Sequence, residues 1–197
     1  MKYSAAMVGR LFWLSETRKT AELLIQEKSI NEIKVLAVNE NIYQVRDEDR
    51  ARRIASAIVK RLQSMPNVLV ERIASGDIAT AKLLVLISII KTDRLFFEFM
   101  HEVYKSAILL GEYIITDRAI NTFFDEKKSQ SEVVANWVDI TIINLKQRYV
   151  GILLDAGVIK KTTDVKKIII PLVDYNLRKQ LEDNGLILYL NAVTGEA

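Results

Sequence analysis

Apolar residues recur every three or four positions along most of the chain, the spacing that lines one face of an α-helix. The clearest case runs from Asp47 to Met65, where Ala51, Ile54, Ala55, Ile58, Leu62 and Met65 form one stripe. Asp47, Glu48 and Asp49 stand at the positive end of its dipole, and Pro66 ends or breaks it. Upstream, Ser15 is placed to cap a helix carrying Ala21, Leu24 and Ile25. Ser29 with Glu32 forms a capping box that opens a short helix to about Val38, and Asn39 to Asn41 reads as a loop. Downstream, Asn67 to Ala74 predicts a short helix closed by Gly76, and Asp77 caps another that reaches Ile90. The most apolar run of the chain, Leu83 to Ile90, lies inside this last helix and predicts burial on all sides. Residues 91–110 predict one more helix, with Phe96, Phe97, Phe99 and Tyr104 on an aromatic face and Gly111 at its end.

A second region begins near Tyr113. Thr116 caps a helix holding Ile120, Phe123 and Phe124, and Ser131 can cap a short one through Val133, Val134 and Trp137. A longer helix follows from about Thr141 to Ala156, with Gly157 as its stop. Val158 to Lys161 and Val165 to Ile170 are β-prone runs around a Thr-Thr-Asp turn, the second ended by Pro171. Helix, short helix, longer helix and hairpin is the order of a winged helix-turn-helix, although this turn lacks the Asn-Gly or Asp-Gly of a strong hairpin. Asp174 caps a last helix to about Glu182, and the tail after Gly185 is apolar enough to pack down. The pattern predicts a mostly α fold: a multi-helix bundle over residues 1–112, then a winged helix-turn-helix with a small β-hairpin and a closing helix over 113–197.

Composition supports helices, since 7 Gly and 2 Pro in 197 residues are too few for the frequent tight turns of a β-sandwich. With no cysteine, disulfides, zinc ribbons and thiol chemistry are excluded, and a reducing compartment fits. The first nineteen residues hold no sustained apolar stretch ending in a small-residue cleavage site, so no signal peptide is expected. The Leu83 to Ile90 run is bounded by Lys82 and Lys91, well short of the roughly 20 apolar residues that span a bilayer. No membrane partner is expected, and the expected location is cytoplasmic.

Candidate chemistry is sparse. The one histidine, His101, sits in the aromatic-rich segment with no nucleophile near it in sequence, and packing is the simplest role for it. There is no glycine-rich phosphate loop, and the acids lack metal-ligand spacing. Neither an enzyme nor a cofactor is expected. The net charge of +3 permits nucleic acid without demanding it. Arg46, Arg50, Arg53 and Lys60 fall on one face opposite the apolar stripe, either as a solvated surface or as an anion contact. From Asp139 to Ile170, Lys146, Arg148, Lys160, Lys161, Lys166 and Lys167 outnumber Asp139, Asp155 and Asp164. In the long helix, Ile142, Leu145, Tyr149, Ile152, Leu153 and Ala156 face a core, while Thr141, Asn144, Gln147 and Arg148 lie opposite and suit bases and phosphates. Ile143, Val150 and Leu154 form a second apolar stripe that narrows the polar strip, through packing against the N-terminal region or a partner protein.

Three segments, YSAAMVGRLFWLSETRKTAELL near the start, GDIATAKLLVLISIIKTDRLFFEFMHEVY at 76–104, and Trp137 to Gly157, resemble the BrxA family of BREX bacteriophage-exclusion systems. The likeness covers about residues 3–190, and KTDRLFFEFM is its most specific part. It implies an all-helical fold with helix-turn-helix elements, some likeness to the antitermination factor NusB, and binding to double-stranded DNA. It also implies a part in phage resistance beside the larger BREX proteins. The resemblance brings no catalytic motif and no residue-level DNA contacts, so the candidate residues are those of the charge pattern. A protein-interaction adaptor within the BREX complex and an RNA-binding, NusB-like module are the rival expectations.

Overall fold

The structure is a computed structural model that describes residues 2–162 and 165–196. The chain is mostly helical, with one small antiparallel sheet, and forms two compact units: Phe12–Thr92, and Met1–Leu11 together with Asp93–Ala197. The expected boundary near Gly111 to Ile115 falls inside the second of these.

The Phe12–Thr92 unit holds α1 (Leu14–Ile25), α2 (Ile30–Asn39), α3 (Glu48–Gln63), α4 (Asn67–Ser75) and α5 (Ile78–Thr92). Helices α1, α3 and α4 all pack on α5, and every residue from Leu83 to Ile90 is buried, as the run predicted. Each fully buried Leu or Ile there contributes roughly 1.5–3 kcal/mol. The α3 stripe, Ala51 to Met65, is likewise buried. Helix α2 lies on α3, with Ile33 of α2, Val59 of α3 and Leu23 of α1 in one buried cluster. Its capping box is formed, Glu32 N donating to Ser29 Oγ (3.2 Å) and Ser29 N to Glu32 Oε2 (2.8 Å). Asp77 accepts from the backbone of Ala79 and Thr80 at the start of α5.

Two expected helix starts move. Ser15 lies inside α1, whose N-cap is Trp13 in a left-handed conformation (φ 55°) with no side-chain cap. The helix expected over 91–110 begins instead at Arg94. Lys91 and Thr92 belong to α5, and Asp93 starts the next helix by accepting from Phe96 N at 3.0 Å. A carboxylate that satisfies an orphan N–H is a better boundary than a continuous turn.

The other unit carries a 3₁₀ turn (Ala6–Gly9), then α6 (Arg94–Phe99), a π-helical segment (Met100–Lys105) and α7 (Ser106–Leu109). There follow β1 (Ile114–Ile115), α8 (Asp117–Gln130), α9 (Glu132–Ala135), α10 (Asp139–Ala156), β2 (Ile159–Lys161), β3 (Lys166–Ile168), α11 (Tyr175–Asp183) and α12 (Ile187–Thr194). The sheet order is β1-β3-β2. Thr116 and Asp174 cap α8 and α11 through their side chains as expected, whereas Ser131 sits at the start of α9 without a side-chain cap. The tail packs down as α12, with Leu190, Ala192 and Val193 buried. Thr163 and Asp164, in the expected hairpin turn, lie outside the described residues.

An aromatic cluster fixes α10. Tyr149 stands 4.8 Å from Phe96, 5.1 Å from Phe99 and 5.7 Å from Phe124 between ring centroids. The ion network beside it ties α8 to α6: Lys127 Nζ meets Glu98 Oε2 at 2.9 Å and Glu102 Oε1 at 2.6 Å with its side chain only 5% exposed. Tyr3 OH also donates to Glu98, at 2.8 Å, and Arg94 pairs with it. Burial pushes the Glu98 carboxyl up, but the bonds from Arg94, Lys127 and Tyr3 outweigh that and hold it below the usual carboxylate range.

Candidate nucleic-acid interface

Helix α10 is positioned from three sides. Tyr149 anchors its middle in the aromatic cluster, Gly157 (φ 78°) closes it in the left-handed conformation that glycine tolerates, and β2 packs along it. The six expected core residues, Ile142, Leu145, Tyr149, Ile152, Leu153 and Ala156, are all buried. At about 100° per residue, the line directly opposite runs through Ile140, Ile143, Asn144, Gln147, Gly151 and Leu154. Ile140 is 59% and Ile143 47% exposed, Gln147 is exposed and Asn144 half-buried.

This corrects the expected polar face. Arg148 is half-buried and its guanidinium donates to Val8 O at 3.2 and 3.3 Å, holding the 3₁₀ turn against α10. Thr141 lies half-buried on the same flank. The second apolar stripe is not sealed under other elements: Ile143 is open, and Val150 and Leu154 line a groove of about 480 Å³. Asp117, Ile120 and Asn121 of α8, Lys146, Gln147 and Gly151 of α10, and Lys161, Val165 and Lys166 of the hairpin complete its walls. Lys146 Nζ donates to Asn121 Oδ1 at 2.7 Å. A side chain at Gly151 would meet nothing within 4 Å, so this mid-helix glycine leaves the groove open without being required by the fold.

The hairpin presents its lysines in register. Lys160 lies opposite Lys167, and Lys161 opposite Lys166. Alternation puts Lys161 and Lys166 on the face of buried Ile159 and Ile168, with Lys160 and Lys167 together on the other. Lys166 is held by Asp117 at 2.6 Å. Lys160, Lys161 and Lys167 are exposed, and among the described residues none of them is in an ion pair. Like charges directly across a ladder are destabilising, and a bound polyanion relieves that repulsion.

In the other unit the basic face of α3 is partly as expected. Arg50, Arg53 and Lys60 are exposed on the helix, but Arg46 precedes it, because Asp47 caps α3 by accepting from Arg50 N at 2.6 Å. The helical spacing therefore does not place Arg46. The acids that offset this face in sequence are engaged locally: Arg52 meets Glu48 and Asp49, each at 2.9 Å. Sequence reading named Ile143 in the second apolar stripe but passed over Arg52, Ile140 and the place of Gly151 on the groove. The i, i+3 and i, i+4 spacing of Arg52 to the two acids was the available signal for the first.

His101, half-buried, stands 4.8 Å from the Phe97 ring. Among the described residues no group of acids or histidine is arranged to hold a metal ion, and no helix is long and apolar enough to cross a membrane.

Comparison with known proteins bears on the whole chain. The sequence profile of the BrxA family matches residues 1–185. A BREX protein BrxA from Bacillus cereus (strain H3081.97) is 39% identical over 194 residues, which cover 98% of this chain and 97% of that protein. In fold, the chain is similar to an uncharacterized protein from Magnetospirillum magneticum whose crystal structure superposes with a TM-score of 0.83, at 20% identity and 98% coverage of both chains.

Proposed function

The chain belongs to the BrxA family, and on that premise we propose that it is a non-enzymatic, cytoplasmic accessory protein of a BREX phage-defence system that binds double-stranded DNA. The observation that carries this reading is the hairpin that follows α10, with Lys160 and Lys167 paired across the ladder on its outward face. We read α8, α9, α10 and the β2–β3 hairpin as a winged helix-turn-helix, with α10 entering the major groove and the wing lysines on the backbone. Arg50, Arg53 and Lys60 supply a second phosphate-binding face. Most of the affinity is then electrostatic and falls with salt.

A mobility shift with unrelated duplexes across a salt series tests this. If about six lysines and arginines contact phosphates, the log–log slope is roughly −5. Changing Lys160, Lys161 and Lys167 together to Ala removes exposed charge only, and the slope falls by about one unit per true contact. The Arg50, Arg53 and Lys60 set gives the parallel measurement for α3. Unchanged affinity and slope in a folded wing variant would remove the hairpin from the interface.

A second reading, an adaptor for other BREX proteins, is favoured by the apolar stretch after β3. Ile169, Ile170 and Tyr175 are exposed and Leu172 is fully so. Partners retained on this protein after nuclease treatment, and lost with Leu172→Asp, are the expected outcome of that reading.

A further inference from the structure

The outward line of α10 has an unusual composition for a helix meant to read DNA. Its side chains are three aliphatics, Ile140, Ile143 and the groove-lining Leu154, and two amides, Asn144 and Gln147, with Gly151 among them. Of the basic groups of the helix, Arg148 is turned away to Val8 O, and Lys146, beside Gln147 on the groove wall, is engaged by Asn121 Oδ1. Among the described residues neither the Asn144 nor the Gln147 amide has a side-chain hydrogen bond, so both are free to meet a ligand.

In the major groove, guanine is read chiefly by Arg or Lys on its O6 and N7, adenine by Asn or Gln on N6 and N7, and thymine by apolar contact with its C5-methyl group. The α10 face lacks the first set and carries the other two. Resting on the DNA-binding reading above, we infer that α10 is an A·T reader: Asn144 and Gln147 address adenine edges, and Ile140 and Ile143 the thymine methyls. Gly151 lets the duplex approach the helix axis, since nothing of the protein fills the space a side chain would take there. Exposed isoleucines carry no such meaning on a solvated helix, where Lys and Glu are the ordinary occupants.

The test compares duplexes of one sequence that differ only in major-groove atoms, at a salt concentration high enough to weaken the phosphate contribution. Uracil in place of thymine removes the methyl, and 7-deazaadenine in place of adenine removes N7, while the minor groove and backbone are kept. Burial of one methyl corresponds to about 4-fold in affinity, and one good bidentate amide contact to roughly 5- to 150-fold. The wild-type protein is expected to bind the uracil duplex about 4-fold more weakly per methyl buried. Ile140→Ala with Ile143→Ala abolishes that difference and leaves the salt slope unchanged. Asn144→Ala with Gln147→Ala abolishes the response to 7-deazaadenine. Equal binding of all the duplexes by the wild type overturns the inference and leaves the phosphate-binding reading standing. Failure to bind any duplex overturns both. Loss of a protein partner from the isoleucine variant, with base discrimination intact, assigns this face to protein and overturns the inference.

Discussion

Helices α5 and α10 are the long apolar helices of their respective units, and both are rich in Ile and Leu, yet the two use those residues differently. In α5 the apolar residues are buried on every side of the helix, from Ala81 and Leu83 through Ile90. In α10 burial is confined to one stripe, while Ile140 and Ile143 remain in contact with water. Aliphatic content alone does not distinguish them. The difference lies in what covers each helix: α5 has α1, α3 and α4 around it, whereas among the described residues Ile140 and Ile143 of α10 are exposed and Val150 and Leu154 line the groove. One helix is scaffold on all sides, and the other carries scaffold on one face and exposed aliphatics on the opposite one.

The sharpest test of that contrast is a pair of truncations. Leu86→Ala should cost about 2–5 kcal/mol, because it opens a cavity in a sealed helix. Ile143→Ala should cost within about 0.5 kcal/mol. Thermal or urea unfolding measures both, and equal losses would show that the two helices are packed alike.

Next in size is the network that seats α8 beside α6. Glu98→Gln removes the charge facing buried Lys127 and should cost about 1.5–3 kcal/mol near neutral pH. The Glu98 carboxyl titrates below its unfolded value, so its contribution is present above the ordinary carboxylate range and is lost as pH falls through the lowered value. The gap between wild type and variant should therefore close on acidification. A gap that is constant with pH would mean that Glu98 acts by packing alone.

Smaller effects are expected within α10 itself. The Tyr149 hydroxyl is buried with no hydrogen-bond partner among the described residues. Tyr149→Phe should then be neutral or raise stability by about 1 kcal/mol, since an unsatisfied polar atom is removed from the core. Gly151→Ala should stabilise by about 0.5–1 kcal/mol through helix propensity, because the added methyl has open space. If the groove side of α10 meets a duplex, the same change weakens binding. A variant that is more stable yet binds less well would place Gly151 in the interface, and one that is more stable with unaltered binding would remove it.

Local signals made much of the fold legible. Side-chain caps at Ser29, Asp77, Thr116 and Asp174 are short-range chemistry, and each forms where the sequence put it. The buried run of α5 and the stripe of α3 follow from periodicity. What escaped depends on partners distant in the chain. Strand β1 is a strand because of its pairing with β3, and Ile168 N donates to Tyr113 O beside it, contacts that two isoleucines do not announce. Arg148 turns away from solvent because a carbonyl at Val8, 140 residues earlier, accepts its guanidinium. The start of α1 was hidden for a different reason, since Trp13 enters it with positive φ and no capping side chain. Of the candidate interface, the exposed hairpin lysines and the α3 arginines were readable as charge. The apolar character of the outward line of α10 was visible in sequence, but only the packing shows which stripe remains uncovered.

Tyr104 ties the hairpin to the helices. Its buried hydroxyl lies 3.2 Å from Val158 O and 3.4 Å from Ile169 O, so one proton is shared between carbonyls just outside the two hairpin strands. Strand side chains alternate faces, and a one-residue slip of either strand would send its lysine, Lys160 or Lys167, inward and bring Ile159 or Ile168 into water. The phenol works as an indexing pin: it is seated in a helix, touches both legs of the hairpin, and fits a single register. Any load on the hairpin is passed through that pin into the helical core, with Lys160 and Lys167 already aligned across the ladder.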